Sequence, residues 1–287
     1  MMNRRDVLGL AVSAGAAVAM SASRADERAT QLSIIDTNVS LFRWPFRRLP
    51  LDEPDALVKK LRSLGVTLAW AGSFEGLLHR DISAVNRRLA EACRTRPELI
   101  PIGSINPTLP GWEQNLKECG EHRMPGVRLH PNYHGYVLDD ARFAKLLVRA
   151  TKAGLFVQVA AAMEDARTQS DKLQVSDVDL SPLAKTVARV AQARVQILNA
   201  RLRAPQWEAL SKVDGIFFDT ARVDSTDGVP KLVRGVPAGR VLFGSHAPFL
   251  IPEAALIRVH ESGQLDEASL RAVYQGNAAA FEDGGQA

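Results

Sequence analysis

Two cysteines in 287 residues cannot build a disulfide framework. Cys93 and Cys119 fall in amphipathic stretches with no Cys or His at metal-ligand spacing nearby. Both read as half-buried free thiols. Long apolar runs are also missing: the longest, near the amino terminus, is shorter than the roughly 18 residues of a membrane-spanning helix. No internal repeat, low-complexity tract or interdomain linker is found. The formal net charge is only +4, which excludes the basic footprint of a nucleic-acid binder. The turn after the first apolar run, Thr37-Asn38-Val39-Ser40-Leu41, holds no glycine, which argues against a dinucleotide-binding open sheet.

What is present starts with an export leader. Arg4 and Arg5 precede a weakly hydrophobic stretch rich in Ala, Gly and Val up to Met20, and Ser23-Arg24-Ala25 offers a small-residue cleavage site. The paired arginines point to the twin-arginine route, with residues 1–25 as signal peptide. The expected location is periplasmic or extracellular, with no stable membrane insertion after processing. Three arginines and one aspartate in this leader supply half of the net +4.

From residue 30 to 282, short apolar runs alternate with amphipathic segments, which predicts a single domain. The runs begin at Leu32, Val66, Leu99, Val127, Leu155, Val195, Gly215 and Val241. Helical periodicity fills the gaps, for instance over 81–96 and 140–153, with Gly65, Gly120 and Gly154 as stops. Alternation of this kind predicts an α/β fold with a parallel sheet. Runs apolar on both faces predict strands buried on both sides. Eight such units in about 250 residues fit a closed (β/α)8 barrel, TIM-like in form.

In a barrel the active side chains come from the carboxyl ends of the strands. The polar residues ending each run are Asp36, Asn38 and Ser40; Ser73 and Glu75; Asn106; Arg128, His130 and His134; Gln158; Asn199; Asp219; and Ser245 with His246. Strict alternation puts Asp36, Asn38 and Ser40 on one face. Asn106 before Pro107 reads more as a turn residue than as a ligand, Ser245 also reads as a cap, and Asp36 equally well as a backbone anchor. His122 and His260 read as surface residues. Gln158 and Asn199 are harder to place outside a site, because an amide amid apolar strand residues is costly unless bonded. After the first run, the segment 41–48 combines three arginines, Arg43 among them, with three aromatics. It serves either as a solvated closing loop or as a pocket wall that binds an anion.

Several motifs resemble the amidohydrolase-related metal hydrolases. Ile35-Asp36-Thr37-Asn38-Val39-Ser40 stands where that family carries Asp-x-His-x-His, and Gly126-Val127-Arg128-Leu129-His130-Pro131 looks like its fourth strand. Val241-Leu242-Phe243-Gly244-Ser245-His246-Ala247-Pro248-Phe249 is similar to its last strand, and Gly276-Asn277-Ala278 to its closing helix. The resemblance implies a metal-dependent-hydrolase type of barrel acting on C–N, C–O or C–C bonds of small, often acidic or lactone-like substrates. It also implies one divalent metal, yet every usual ligand is replaced: the first-strand histidines by Asn38 and Ser40, the fifth- and sixth-strand histidines by Gln158 and Asn199, and the last-strand aspartate by His246. Neutral amide and hydroxyl oxygens bind zinc poorly, so no metal ligands are assigned and the cofactor is left unknown.

The reading that follows is an exported hydrolase or lyase of a small anionic, lactone or sugar-like substrate, with an altered or metal-free site. His246 serves as acid/base, with Asp36 and His130 as the other catalytic residues. Asn38, Arg43, Arg128, Gln158 and Asn199 bind substrate. The partner is a small molecule rather than nucleic acid, and a homo-oligomer is allowed. The alternative is a non-catalytic small-molecule-binding pseudoenzyme on the same barrel.

Overall fold

The computed structural model describes residues 33–260 and 263–284; the leader segment, 1–25, lies outside them. Ile34–Ala287 forms a unit by itself. Its strands β1 (Ile34–Leu41), β2 (Val66–Ser73) and β3 (Leu99–Pro101) make one parallel sheet. A second parallel sheet runs β4 (Gly103–Ser104), β5 (Gly126–Leu129), β6 (Phe156–Ala160), β7 (Val195–Leu198), β8 (Ile216–Asp219) and β9 (Val241–Leu242). The third apolar run is thus split at Ile102, whose amide still donates to Ala71 O at 2.9 Å and keeps the two sheets continuous. The ring closes where the last strand meets the first: Thr37 N donates to Phe243 O and Ser40 N to Ala247 O, both at 2.9 Å, and Val39 bridges Ala247 in parallel. The result is the (β/α)8 barrel that the alternation predicts.

The helices follow their sequence signals closely. α1 (Pro54–Ser63) begins at a proline that fixes its first turn. α2 (Ile82–Arg94) is capped by Asp81, whose side chain accepts from Ala84 N at 2.9 Å. Its buried Ile82, Val85, Leu89 and Cys93 recur at helical spacing and form the stripe facing the strands. α3 (Trp112–Glu121) and α4 (Pro131–His134) lead to α5 (Ala141–Lys152). Gly154 stops the chain after α5 with φ of 75°, a left-handed conformation that suits a residue without Cβ. α6 (Leu183–Val187) is short. α7 (Ala204–Ser211), α8 (Gly228–Gly235) and α9 (Pro252–His260) follow. Among the described residues no helix is long and apolar enough to cross a membrane.

Two hydrophobic clusters bracket the barrel interior. One holds Ile35, Trp70, Ile102, Phe156, Phe217 and Leu242 with Ala278 and Phe281 of the carboxyl-terminal helical segment. Trp70 stacks on Phe156 with centroids 4.8 Å apart, and Phe217 meets Phe281 edge-on at 4.5 Å. Each such side chain contributes about 1.5–3 kcal/mol on burial. The other cluster covers the carboxyl ends of the strands and is described below. Cys93 and Cys119 are buried free thiols, each pushed up to about 12 by burial and therefore protonated and unreactive.

β1 runs past the predicted stop at Asp36 to Leu41, and all eight of its residues are buried. Its pairing with β2 shifts register between Asp36 and Val39. This irregularity breaks the expected alternation, so the Thr37 hydroxyl joins Asn38 and Ser40 in contacts across the barrel. The polar run can stay in the strand because each of these side chains finds a partner there.

Candidate active site at the barrel mouth

Between the two clusters lies a layer of buried polar side chains. Asp36, Asn38, Ser40, Arg128, Gln158, Gln196, Asn199, Asp219 and His246 are all buried. Pairing places Arg128 of β5 beside Gln158 of β6, and Gln158 beside Gln196 of β7. Arg128 Nε donates to Gln158 Oε1 at 2.8 Å. Its Nη1 donates to Val39 O at 2.9 Å and Ser40 Oγ at 3.2 Å, and its Nη2 to Trp70 O at 3.3 Å. Gly72 makes room for it: a Cβ there would lie 2.7 Å from Arg128 Nη1. Gln158 Nε2 in turn donates to Thr37 O and Gln196 Oε1, at 2.8 and 2.7 Å. Gln196 Nε2 donates to Thr37 Oγ1 at 2.7 Å, and that hydroxyl to Phe243 O at 2.8 Å.

A second network sits beside the first. Asn38 Nδ2 donates to both Asn199 Oδ1 and Asp219 Oδ2 at 2.7 Å. Asn199 Nδ2 donates to Ala162 O, and Asn199 N to Asp219 Oδ1. Asp36 Oδ1 accepts from Asn38 N and Ser245 N. Asp36 Oδ2 and Asn38 Oδ1 are buried without partners.

Burial dominates the titration of this layer. It pushes Asp36 up to about 6, against the hydrogen bonds from Ser245 and Asn38 and the charge of Arg128 that favour the carboxylate. It pushes Asp219 up to about 7, again opposed by the Asn38 and Asn199 bonds. Arg128 falls to about 10 through the same desolvation, opposed by Asp219 and Asp36. His246 is lowered to about 3 and His134 to about 4, and His130 is held well below its usual range, all chiefly by burial. Near neutral pH the three imidazoles are therefore uncharged, while the two carboxyls sit close to their midpoints.

The sign of the Asp219 effect gives a direct measurement. An unfolded chain releases an aspartate proton near pH 4, whereas the folded protein keeps it until about 7. The folded state then binds more protons across that interval, and stability falls as pH rises through it. Asp219→Asn removes this dependence. Urea melts at pH 4.5 and 7.5 are expected to show wild type losing stability relative to the variant by a few kcal/mol at the higher pH. A constant difference between the two proteins would mean that the carboxyl is not raised.

His246 holds a strained place. Its φ is 57°, a left-handed conformation in which His, Asn and Asp are enriched. Its Nε2 lies 2.7 Å from Met163 O. A carbonyl only accepts, so Nε2 carries the proton and the lone pair is on Nδ1. That Nδ1 is buried and unpartnered, as are the Nδ1 atoms of His130 and His134. His134 Nε2 donates to Gly76 O at 3.0 Å, and its ring meets His130 at 5.9 Å. A charge on His246 would lower His130 further.

A cover closes over this layer. Trp44 stands edge-on to Phe46, Phe74, Tyr133 and Phe249, with Leu49, Leu77, Ala160 and Met163 packed around them. Phe249 stacks flat on His246 at 5.2 Å. Arg47 lies over the Phe249 ring at 5.1 Å and pairs with the buried carboxylate of Glu164. Two clefts flank the mouth. One of about 600 Å³ lies against Asn132, Tyr136, Leu173 and Asp179, and one of about 520 Å³ against Phe42, Arg43, Glu53 and His79. None of Asp36, Asn38, Arg128, Gln158, Asn199 or His246 lines either cleft.

The structure thus gathers most of the residues singled out in the sequence, but gives several of them other work. Arg43 is outside the mouth, 65% exposed in its side chain and 3.4 Å from Glu53; the arginine of that segment that reaches the mouth is Arg47. Arg128 spends its donors on neutral groups of the protein. Asp36 bonds Ser245 rather than the His246 ring, which Met163 O orients instead. Asn106 Oδ1 accepts from Thr108 N and Oγ1, and Ser245 Oγ from Ala247 N, both turn bonds. Gln196, Thr37 and Asp219 join the site beyond the residues assigned to it from sequence. Gln196 carries the signal that singled out Gln158, an amide inside an apolar run.

A divalent metal does not fit this donor set. Ser40 Oγ and Gln158 Oε1 accept from a guanidinium, and Asn199 Oδ1 from Asn38. A cation placed among them would have to displace a fixed cation. Among the described residues no group of three or more His, Cys, Asp or Glu side chains is placed to hold a metal ion.

A family model described as amidohydrolase matches residues 42–281. No curated protein matches the chain. Solved structures similar to it include 5-carboxyvanillate decarboxylase from Sphingomonas paucimobilis, with 13% identity, a TM-score of 0.66, and 88% of this chain and 99% of that one covered. A 2,6-dihydroxybenzoate decarboxylase from Rhizobium matches with 11% identity and a TM-score of 0.63, covering 88% and 98%. A Pseudomonas putida protein assigned as a 2-pyrone-4,6-dicarboxylic acid hydrolase matches with 18% identity and a TM-score of 0.62, covering 88% and 98%. At these identities the structures share the barrel and nothing finer.

Proposed function

Since the chain belongs to the amidohydrolase family, we propose that it is a hydrolase or lyase of a small organic acid that works without a divalent metal. The single observation that carries this reading is the His246 imidazole. It is fixed through Nε2 and keeps a bare Nδ1 lone pair in a buried polar layer beside two carboxyls poised near neutrality. In this reading Nδ1 accepts a hydrogen bond from the attacking water and takes up its proton as the carbonyl is attacked. Asp219, half-protonated near pH 7, donates a proton to the leaving oxygen, and the proton that Nδ1 took from the water then passes to the Asp219 carboxylate, which restores both groups. Asn38 Oδ1, also unpartnered, orients the water. The acid class draws support from the three similar structures, whose names all carry carboxylic acids. Export by residues 1–25 is part of the same proposal.

The test is a turnover screen of chelator-treated full chain against lactones, aryl esters and hydroxylated aromatic acids. Turnover of one of them without added metal is expected. Turnover that appears only on adding zinc or manganese would overturn the metal-free mechanism. Binding without product from any compound would overturn the enzyme reading in favour of a binding protein on the same barrel.

A further inference from the structure

Arg222 differs from every other buried cation of the barrel. It follows β8, in a loop tied to the turn that carries His246: Thr220 Oγ1 donates to Gly244 O at 3.3 Å and accepts from Gly244 N at 3.1 Å. The residue is only 5% exposed, and its Nη1 is buried with no hydrogen-bond partner. The carboxylates near enough to act on it are Asp177, Asp224 and Asp165. Two of these are held elsewhere, Asp165 by Arg167 and Arg201, and Asp224 by Arg201 and Arg258. Among the described residues none forms an ion pair with Arg222. Of the charges acting on His246, that of Arg222 is the strongest.

A guanidinium carries five N–H donors and has no means of shedding its charge. Burying one without an acceptor is costly, and native proteins leave few such groups unexplained. Arg128, more deeply buried, shows the usual resolution, with four acceptors around it. Arg222 lacks that resolution among the described residues. Its planar fork suits a carboxylate through two parallel bonds. We propose that Arg222 is the receptor for the carboxylate of the substrate, holding the acid beside His246. This assignment deepens the reading of the mouth as the site for a small organic acid, and rests on it.

The test reads binding rather than turnover, so it is independent of the role of His246. Benzoate and citrate serve as carboxylate probes, with benzamide as the neutral control, in melting-temperature and titration measurements on the full chain. Wild type and His246→Asn are both expected to be stabilised by an acid and not by benzamide. Arg222→Met is expected to melt at the same temperature as wild type or higher, because it loses an uncompensated buried charge. It should also bind the acid about 10- to 100-fold more weakly, as loss of a charge-assisted bond implies. Arg222→Lys, which keeps the charge without the fork, should recover part of the affinity. Three results would each overturn the assignment: unchanged acid binding in Arg222→Met, a lower melting temperature of that variant in the absence of ligand, or a wild type that responds to neither acid.

Discussion

Replacing His246 by asparagine is expected to lower turnover about 100- to 10,000-fold while leaving the fold intact. Asparagine is the informative choice because position 246 has φ of 57°. Alanine there would add backbone strain, whereas asparagine tolerates the left-handed region. The variant loses the Nδ1 lone pair and the flat contact with Phe249, and the cover has other supports around Trp44. The pH dependence separates the roles further. Burial holds the imidazole at about 3, so it stays neutral throughout the working range. The limb of the pH–rate profile between 6 and 7 then belongs to Asp36 and Asp219. Residual activity in His246→Asn should keep that limb. Steady-state rates on whichever compound the screen turns over provide the measurement. Equal rates in variant and wild type would remove His246 from the mechanism, and a vanished limb would make it the titrating group.

Arg128→Met should have the opposite character from Arg222→Met, although the substitution is the same. The guanidinium of Arg128 satisfies Gln158 Oε1, Val39 O, Ser40 Oγ and Trp70 O. Methionine leaves all four, in a buried layer, facing an apolar side chain. Each orphaned acceptor costs about 1–3 kcal/mol at most, offset in part by relief of a desolvated charge. A net loss of about 3–5 kcal/mol is expected, which for a barrel of this size lowers the melting temperature on the order of 10 °C. Because Arg128 helps hold the Asp36 carboxyl down, the same variant should push that carboxyl higher still. Chemical denaturation with the wild type alongside decides the matter. A variant as stable as wild type would mean that the polar layer does not depend on its central cation.

The barrel was legible because strand alternation, glycine stops and apolar runs are local signals, and they agree along the chain. The mouth was legible only where an odd residue interrupts a pattern. Gln158 and Asn199 announce themselves as amides among aliphatics, and Gln196 does the same. Arginines do not announce themselves. In sequence Arg43, Arg47, Arg128 and Arg222 are alike, each near the end of an apolar run. Tertiary packing alone makes one solvated, one a partner of Glu164, one fully bonded and one bare. The register shift in β1 that turns Thr37 inward is equally silent, because the extra residue looks like any other residue of the strand.

The bonds from Ser40 through Arg128 to Gln158, and from Asn38 to Asn199, also bear on which substitutions this barrel can accept one at a time. Asn38 satisfies Asn199 directly, and Ser40 and Gln158 share the guanidinium of Arg128. A histidine at 158 alone would strand the Arg128 Nε and the Gln196 amide; one at 38 would release both Asn199 and Asp219. Each of these single substitutions loses stability before it gains a ligand. The polar layer is therefore interlocked, and building a metal site into it would require several substitutions to arrive together.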